Sequence, residues 1–219
     1  MHIPEVFFHL DHLPTLDQYY IDQGYNAQYR YPSIDYITAK KTAVHIEDGD
    51  KNMSSNIITE DVISTPSSIQ NTVPFDGNNR HNKRSRTIPA VCDFHESKFA
   101  QDIAKDLGEV SSSYFYNPPW GLYDWHRDLS RHDCAINFLL TDTPGARTMF
   151  RFPTNCGLNY KLSLLEYKLH RPVLIHAKTE HCVANLTDQH RYILSLVLFD
   201  ASYNQAKEWL INYNCSSYI

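Results

Sequence analysis

The sequence predicts a mainly β protein with flanking helices, built on a double-sheet jelly-roll core. Three observations predict it. Eight short strand-like segments crowd the C-terminal half: Ser113–Tyr116, Trp125–Asp128, Cys134–Leu140, Arg147–Phe152, Tyr160–Leu169, Val173–Ala177, Cys182–Asn185 and Arg191–Phe199. The joints between them carry Asn-Pro-Pro, Thr-Pro-Gly, Asn-Cys-Gly and Thr-Asp, which are turn-forming residues. The last segment is apolar on both faces, with Leu194, Leu196 and Leu198 on one and Ile193, Val197 and Phe199 on the other. A strand of that kind is covered twice, by a barrel lumen within and by helices without.

A chain of 219 residues and 25.5 kDa has room for one good-sized domain. We read 1–219 as a single domain, with 1–112 as N-terminal support, 113–200 as the jelly-roll core and 201–219 as a C-terminal helix. Hydrophobic residues make up 42% of the chain, enough for a real core. No apolar run approaches the ~20 residues of a membrane helix, so no membrane is expected as a partner. The start, Met1-His2-Ile3-Pro4-Glu5, has neither the basic nor the apolar region of a signal peptide. Five scattered cysteines without a C-x-x-C suit reduced thiols in a cytoplasm and exclude a zinc knuckle. The formal charge of -5 provides no general basic footprint for nucleic acid. Oligomeric state is left open.

Along the chain, Val6-Phe7-Phe8 reads as a short strand. Thr15-Leu16-Asp17-Gln18 has capping-box spacing and opens a helix after Pro14. The tyrosines that follow (Tyr19, Tyr20, Tyr25, Tyr29, Tyr31) read as packing surface. From 47 to 88 Gly, Asp, Asn, Ser, Thr and Pro dominate, which predicts a long insertion or lid-like loop with at most one short strand. Near its end lies the basic cluster Arg80-His81-Asn82-Lys83-Arg84-Ser85-Arg86, read as a solvated loop or a charged rim. Ser97 caps a helix whose Phe99, Ile103 and Leu107 share one face and which Gly108 stops. Ser202-x-x-Gln205 is a second capping box, opening a helix anchored by Trp209 and Leu210.

The chemistry gathers at Trp125-His126-Arg127-Asp128. On an extended strand His126 and Asp128 leave the same face. They would supply two thirds of the 2-His-1-carboxylate triad that holds non-haem Fe(II) with positions open. Four histidines compete for the third place. His190 abuts Arg191 and points the other way if Arg191 faces the lumen. His170, beside Arg171-Pro172, reads as a turn residue. His176 is the real rival, in mid-strand. His181 is preferred because it starts its own strand, with a single tight turn (186–189) leading to Arg191. Trp120, Trp125 and Pro118-Pro119 read as a wall of the barrel mouth, and Cys134 and Cys182 as inert small hydrophobes.

Taken together, His126-x-Asp128, His181-x-Val183 and Arg191-Tyr192-x-x-Ser195 resemble the Fe(II)- and 2-oxoglutarate-dependent dioxygenases, most closely their prolyl-hydroxylase-like branch. The resemblance covers roughly 113–200. It implies a double-stranded β-helix (cupin-like) core, with His126, Asp128 and His181 as iron ligands and catalytic residues. Arg191 would pair with the distal carboxylate of 2-oxoglutarate, with Ser195 on the same face, and Tyr116 matches a cosubstrate-binding tyrosine. The family carries a second tyrosine on the strand after H-x-D, where this chain reads Ala135-Ile136-Asn137-Phe138, so Asn137 stands in its place. A fixed, always-charged fork suits a dicarboxylate in a dry barrel, as Lys would not.

The implied activity is hydroxylation of an unactivated C–H bond using O2, with release of succinate and CO2. The substrate would be an amino acid, a peptidyl residue or a small metabolite. Related halogenases replace the carboxylate by a small residue, so Asp128 favours oxygen insertion. Two rival readings are a cupin-like binding module without turnover and a structural jelly roll.

Overall fold

The computed structural model describes residues 4–27, 88–117, 122–128, 132–153 and 160–213. Among these residues ten strands form two antiparallel sheets. In chain order they are β1 (Phe7–His9), β2 (Ile88–Val91), β3 (Val110–Asn117), β4 (Leu122–His126), β5 (Cys134–Leu139), β6 (Ala146–Pro153), β7 (Tyr160–Leu165), β8 (Pro172–His176), β9 (His181–Asn185) and β10 (Arg191–Leu198). The larger sheet has the order β1-β8-β5-β10-β3-β2 and the smaller β4-β9-β6-β7. This is the jelly roll that the sequence predicts.

Among the described residues three ten-residue α-helices accompany the sheets: α1 (Gln18–Ala27), α2 (Lys98–Leu107) and α3 (Tyr203–Asn212). Their apolar faces, with Ile21, Phe99, Ile103, Ala206 and Leu210, form one cluster with Ile136, Phe138, Leu194, Leu196 and Leu198 of the larger sheet. A second cluster, including Ala135, Phe150, Val173 and Ile175 with Val197 against it, joins residues of both sheets. The alternation along β10 therefore serves two layers. Even positions from 192 to 198 pack under the helices, and odd positions 191 to 197 line a cavity.

Both predicted later helix starts hold. Ser97 Oγ accepts from Ala100 N at 3.2 Å. Ser202 and Gln205 form the full capping box. At α1 the expectation fails. The helix opens at Gln18, and the Asp17 carboxylate accepts from Tyr19 N at 2.8 Å, so Asp17 rather than Thr15 satisfies the exposed amide. The tyrosines there divide: Tyr20 packs on the core, whereas Tyr19 is exposed and bonds Asp93 through its hydroxyl. Tyr29, Tyr31, the insertion from 47 to 87 and the basic cluster lie outside the described residues.

β2 was not anticipated. It holds Pro89, which cannot donate to a ladder, and among the described residues it pairs only with β3, at the edge, where proline is tolerated. The predicted 125–128 strand is displaced. β4 ends at His126, with a register shift between Tyr123 and His126 in its ladder with β9. The strand predicted to reach Leu169 ends at Leu165.

Gly108 ends α2 with φ +96°, and a Cβ there would stand 2.7 Å from the Asp200 side chain. Asp200 in turn accepts from Glu109 N at 2.9 Å. Gly108→Ala should therefore destabilise the protein by about 1–3 kcal/mol, read as a lower urea midpoint, because the backbone region is essentially glycine's own.

Candidate metal and anion site

His126 is the last residue of β4 and His181 the first of β9, and they face each other as ladder partners. Their rings are 4.2 Å apart. Asp128 joins them from outside the strand. Its amide donates to Ala177 O at 3.2 Å, and Lys178 Nζ donates to its carbonyl at 2.9 Å, so backbone anchors hold it there. Strand alternation thus does not bring Asp128 beside His126, as the sequence suggested; the chain leaves the strand first. One ligand atom each from His126, Asp128 and His181 lies within 4.8 Å of the others. Two imidazoles and one carboxylate on one side of a cavity fit a divalent metal with open positions.

The protonation states suit that use. His181 Nδ1 donates to the Thr179 carbonyl at 2.8 Å, since a carbonyl only accepts; in the neutral ring Nε2 therefore carries the lone pair. Burial pushes the His181 imidazole below its ordinary range and so favours the neutral form, against the opposing pull of Asp128. Burial would raise the Asp128 carboxyl, but the hydrogen bond from His132 and the nearby imidazoles outweigh it and hold it low.

His132, which sequence reasoning passed over, lies 3.1 Å through Nε2 from Asp128 Oδ2, while Oδ1 faces His126 at 3.7 Å. The two carboxylate oxygens are thus divided between an orienting partner and the metal side. Its only sequence signal is its place four residues after Asp128. Removing such outer partners typically costs 10–100-fold in metal affinity, and His132→Ala should lower Fe(II) or Mn(II) affinity by about that factor.

Both histidines rest on an outer clamp. Arg151 of β6 is buried, pairs with Glu180 through two 2.7 Å hydrogen bonds and lies 4.5 Å from the Trp125 ring and 4.8 Å from that of Tyr160. Glu180 precedes His181 and Trp125 precedes His126. Trp125 is accordingly part of this clamp and does not line the cavity, contrary to expectation; Pro118-Pro119 and Trp120 lie outside the described residues.

The triad lines a cavity of about 330 Å³ that also contains Arg191, Ser195 and Asn137. Arg191 is 2% exposed; it donates to Asn117 Oδ1 at 2.7 Å and to Thr148 Oγ1 at 3.0 Å, with the Tyr167 ring at 5.4 Å. These partners are neutral. Among the described residues no carboxylate pairs with Arg191, and burial pulls its pKa down. Ser195 and Asn137 are opposite one another in the β10–β5 ladder. Asn137 Nδ2 donates to Tyr167 Oη at 3.3 Å, and its buried Oδ1 has no partner among the described residues.

Tyr116 does not join them. It pairs with Tyr192 in the β3–β10 ladder, stacks on Tyr192 and His190, and hydrogen-bonds His190 Nδ1 at 2.7 Å on the helix-covered face. Its neighbour Asn117, opposite Arg191, takes the inward place. The rival His176 sits beside Tyr203, Thr179 and Asp133, away from the triad. His170 is a turn residue with φ 59°. Cys134 is fully buried, and burial pushes its thiol up to about 12, while Cys182 is equally enclosed, so both read as inert.

No protein-family profile matches this chain, and no curated protein matches it. Solved structures similar to it include a cupin domain from Bordetella pertussis Tohama I, at 19% identity over 52% of this chain and 95% of that one, TM-score 0.33. Another is EvdO2 from Micromonospora carbonacea var. aurantiaca complexed with 2-oxoglutarate, at 14% identity over 49% of this chain and 62% of that one, TM-score 0.36. A Pseudomonas putida prolyl-4-hydroxylase aligns at 16% identity over 48% of this chain and 54% of that one, TM-score 0.34. The matched stretch spans less than two thirds of each oxygenase chain. Identity and TM-score are low throughout, and the functional reading rests on the cavity itself.

Proposed function

We propose that this protein is an Fe(II)- and 2-oxoglutarate-dependent oxygenase of the prolyl-hydroxylase-like branch, a single-domain cytoplasmic enzyme that hydroxylates an amino acid, a peptidyl residue or a small metabolite. The observation that carries the reading is the sharing of one cavity by the triad and Arg191. A buried guanidinium without a carboxylate partner is costly, and an anionic ligand offsets that cost. The spacing supports a short diacid. Arg191 touches Thr148, and His181 pairs with Phe150 two residues along β6. That separation is about 7 Å along the strand, the scale of a molecule whose two acid ends meet different groups.

In this reading His126, Asp128 and His181 hold the iron, which supplies the oxygen chemistry: O2 and 2-oxoglutarate give succinate, CO2 and a hydroxylated C–H bond. Arg191 receives the distal carboxylate in bidentate fashion. Asn117 and Thr148 fix the plane of its fork. The apolar side chains Phe115, Ile193 and Val197 exclude water from the cavity. His132 keeps Asp128 from turning. No helix among the described residues is long and apolar enough to cross a membrane. Cys92, Cys134 and Cys182 are free thiols, in keeping with a reducing compartment.

The test is an anaerobic titration with Fe(II) and then 2-oxoglutarate, followed by the weak visible charge-transfer band of the chelate, with succinate measured after air is admitted. Appearance of the band with 2-oxoglutarate-dependent succinate supports the enzyme. Binding without succinate leaves a cupin-like binding module, and no iron binding sinks the site.

A further inference from the structure

A second cavity, of about 400 Å³, lies beside the first, and the two share just two lining residues, Arg191 and Tyr167. These side chains therefore stand between them. Arg191 is fixed: it sits on a central strand, is buried, and is held by Asn117 and Thr148. Tyr167 is the yielding part. It follows the end of β7, is half-buried, and its hydroxyl meets Asn137 Nδ2 at 3.3 Å and the Arg191 guanidinium.

We infer that Tyr167 is a specificity-determining residue, the back wall that limits the anion cavity to a short 2-oxo diacid. The inference rests on the proposed 2-oxoglutarate site and adds to it the basis of chain-length selection. With the ring in place, a six-carbon diacid such as 2-oxoadipate meets the phenol. With the ring removed, the two cavities join, and the distal carboxylate of the longer acid can pass the wall and meet the Arg191 guanidinium from the second side. The second cavity offers no better anchor of its own. Arg147 lines it, but so do Asp142 and Glu166, and the Arg147 guanidinium already donates to the Pro144 and Ala146 carbonyls. Chain length, rather than charge, is what Tyr167 would select.

The experiment compares 2-oxoglutarate with 2-oxoadipate on the Fe(II)-loaded protein under anaerobic conditions, in the parent and in Tyr167→Phe, Tyr167→Leu and Tyr167→Ala. The readout is the ratio of the two dissociation constants, in which a general weakening of Arg191 cancels. One methylene in a fitted pocket is worth about 10–200-fold, so the ratio should shift toward 2-oxoadipate by about tenfold or more in Tyr167→Ala. Tyr167→Leu should fall between, and Tyr167→Phe, which keeps the ring, should match the parent. If Tyr167→Ala does not fold, as judged by circular dichroism, Tyr167→Leu decides. A ratio constant along the series overturns the inference, as does a parent that binds both acids equally or a folded Tyr167→Ala that loses both acids in equal measure. A parent that binds no 2-oxoglutarate is a different result and rejects the proposed function instead.

Discussion

Replacing His126, Asp128 or His181 with Ala is expected to weaken divalent-metal binding by more than about 100-fold. The residues that merely orient ligands account for 10–100-fold, and a ligand itself must exceed them. The fold should survive, because the three side chains edge a cavity and are not members of the apolar clusters that hold the sheets and helices. His176→Ala is the internal control. It packs against Tyr203 and faces Asp133, so it should leave metal affinity unchanged and affect stability alone. Equilibrium titration with Mn(II) or anaerobic Fe(II), paired with urea unfolding, measures both quantities. A His126→Ala protein that still binds one equivalent tightly would show that the triad is not the site.

Arg191 should give the second largest effect, and in a different quantity. Arg191→Lys keeps a charge but loses the fork. A lost charge-assisted hydrogen bond is worth about 1.5–3 kcal/mol, so 2-oxoglutarate affinity should fall about 10- to 150-fold. Arg191→Ala should lose more, while metal affinity barely moves, and weak binding of monocarboxylic 2-oxo acids should not change. Arg191→Met separates binding from folding. Removing a buried charge that lacks a carboxylate partner favours the ligand-free fold, whereas stranding Asn117 Oδ1 and Thr148 Oγ1 opposes it. Stability should shift modestly while anion binding disappears. If Arg191→Ala binds 2-oxoglutarate as the parent does, the cosubstrate assignment fails.

The legibility of this molecule in its sequence followed the range of the interactions involved. The double-sided burial of β10 was plain from its own residues, and with it the inward direction of Arg191 and Ser195. The caps at Ser97 and Ser202 were equally local. Tyr116 was misplaced because choosing between 116 and 117 needs the register of β3 against β10, and a one-residue slip exchanges the two faces of a strand. Asp128 reaches the site through a departure from the β4 ladder that period-two counting cannot express. Thr148 and Tyr167 converge on Arg191 from the smaller sheet and the segment after it, and no short window of sequence contains that meeting. β2 was hidden by its own proline, which reads as a loop residue unless the strand is known to be an edge.

The turn after β9 carries the chain from one sheet to the other, so His181 and Arg191, ten residues apart, belong to opposite leaves of the sandwich. Both histidines of the triad, His126 and His181, sit on the smaller leaf, and Arg191 sits on the larger. A ligand that engages both is therefore a clasp between leaves. Metal alone would tighten one leaf; only metal and diacid together span the seam. Under the proposed function, the fixed spacing between the leaves would then set the length of acid that can engage both at once.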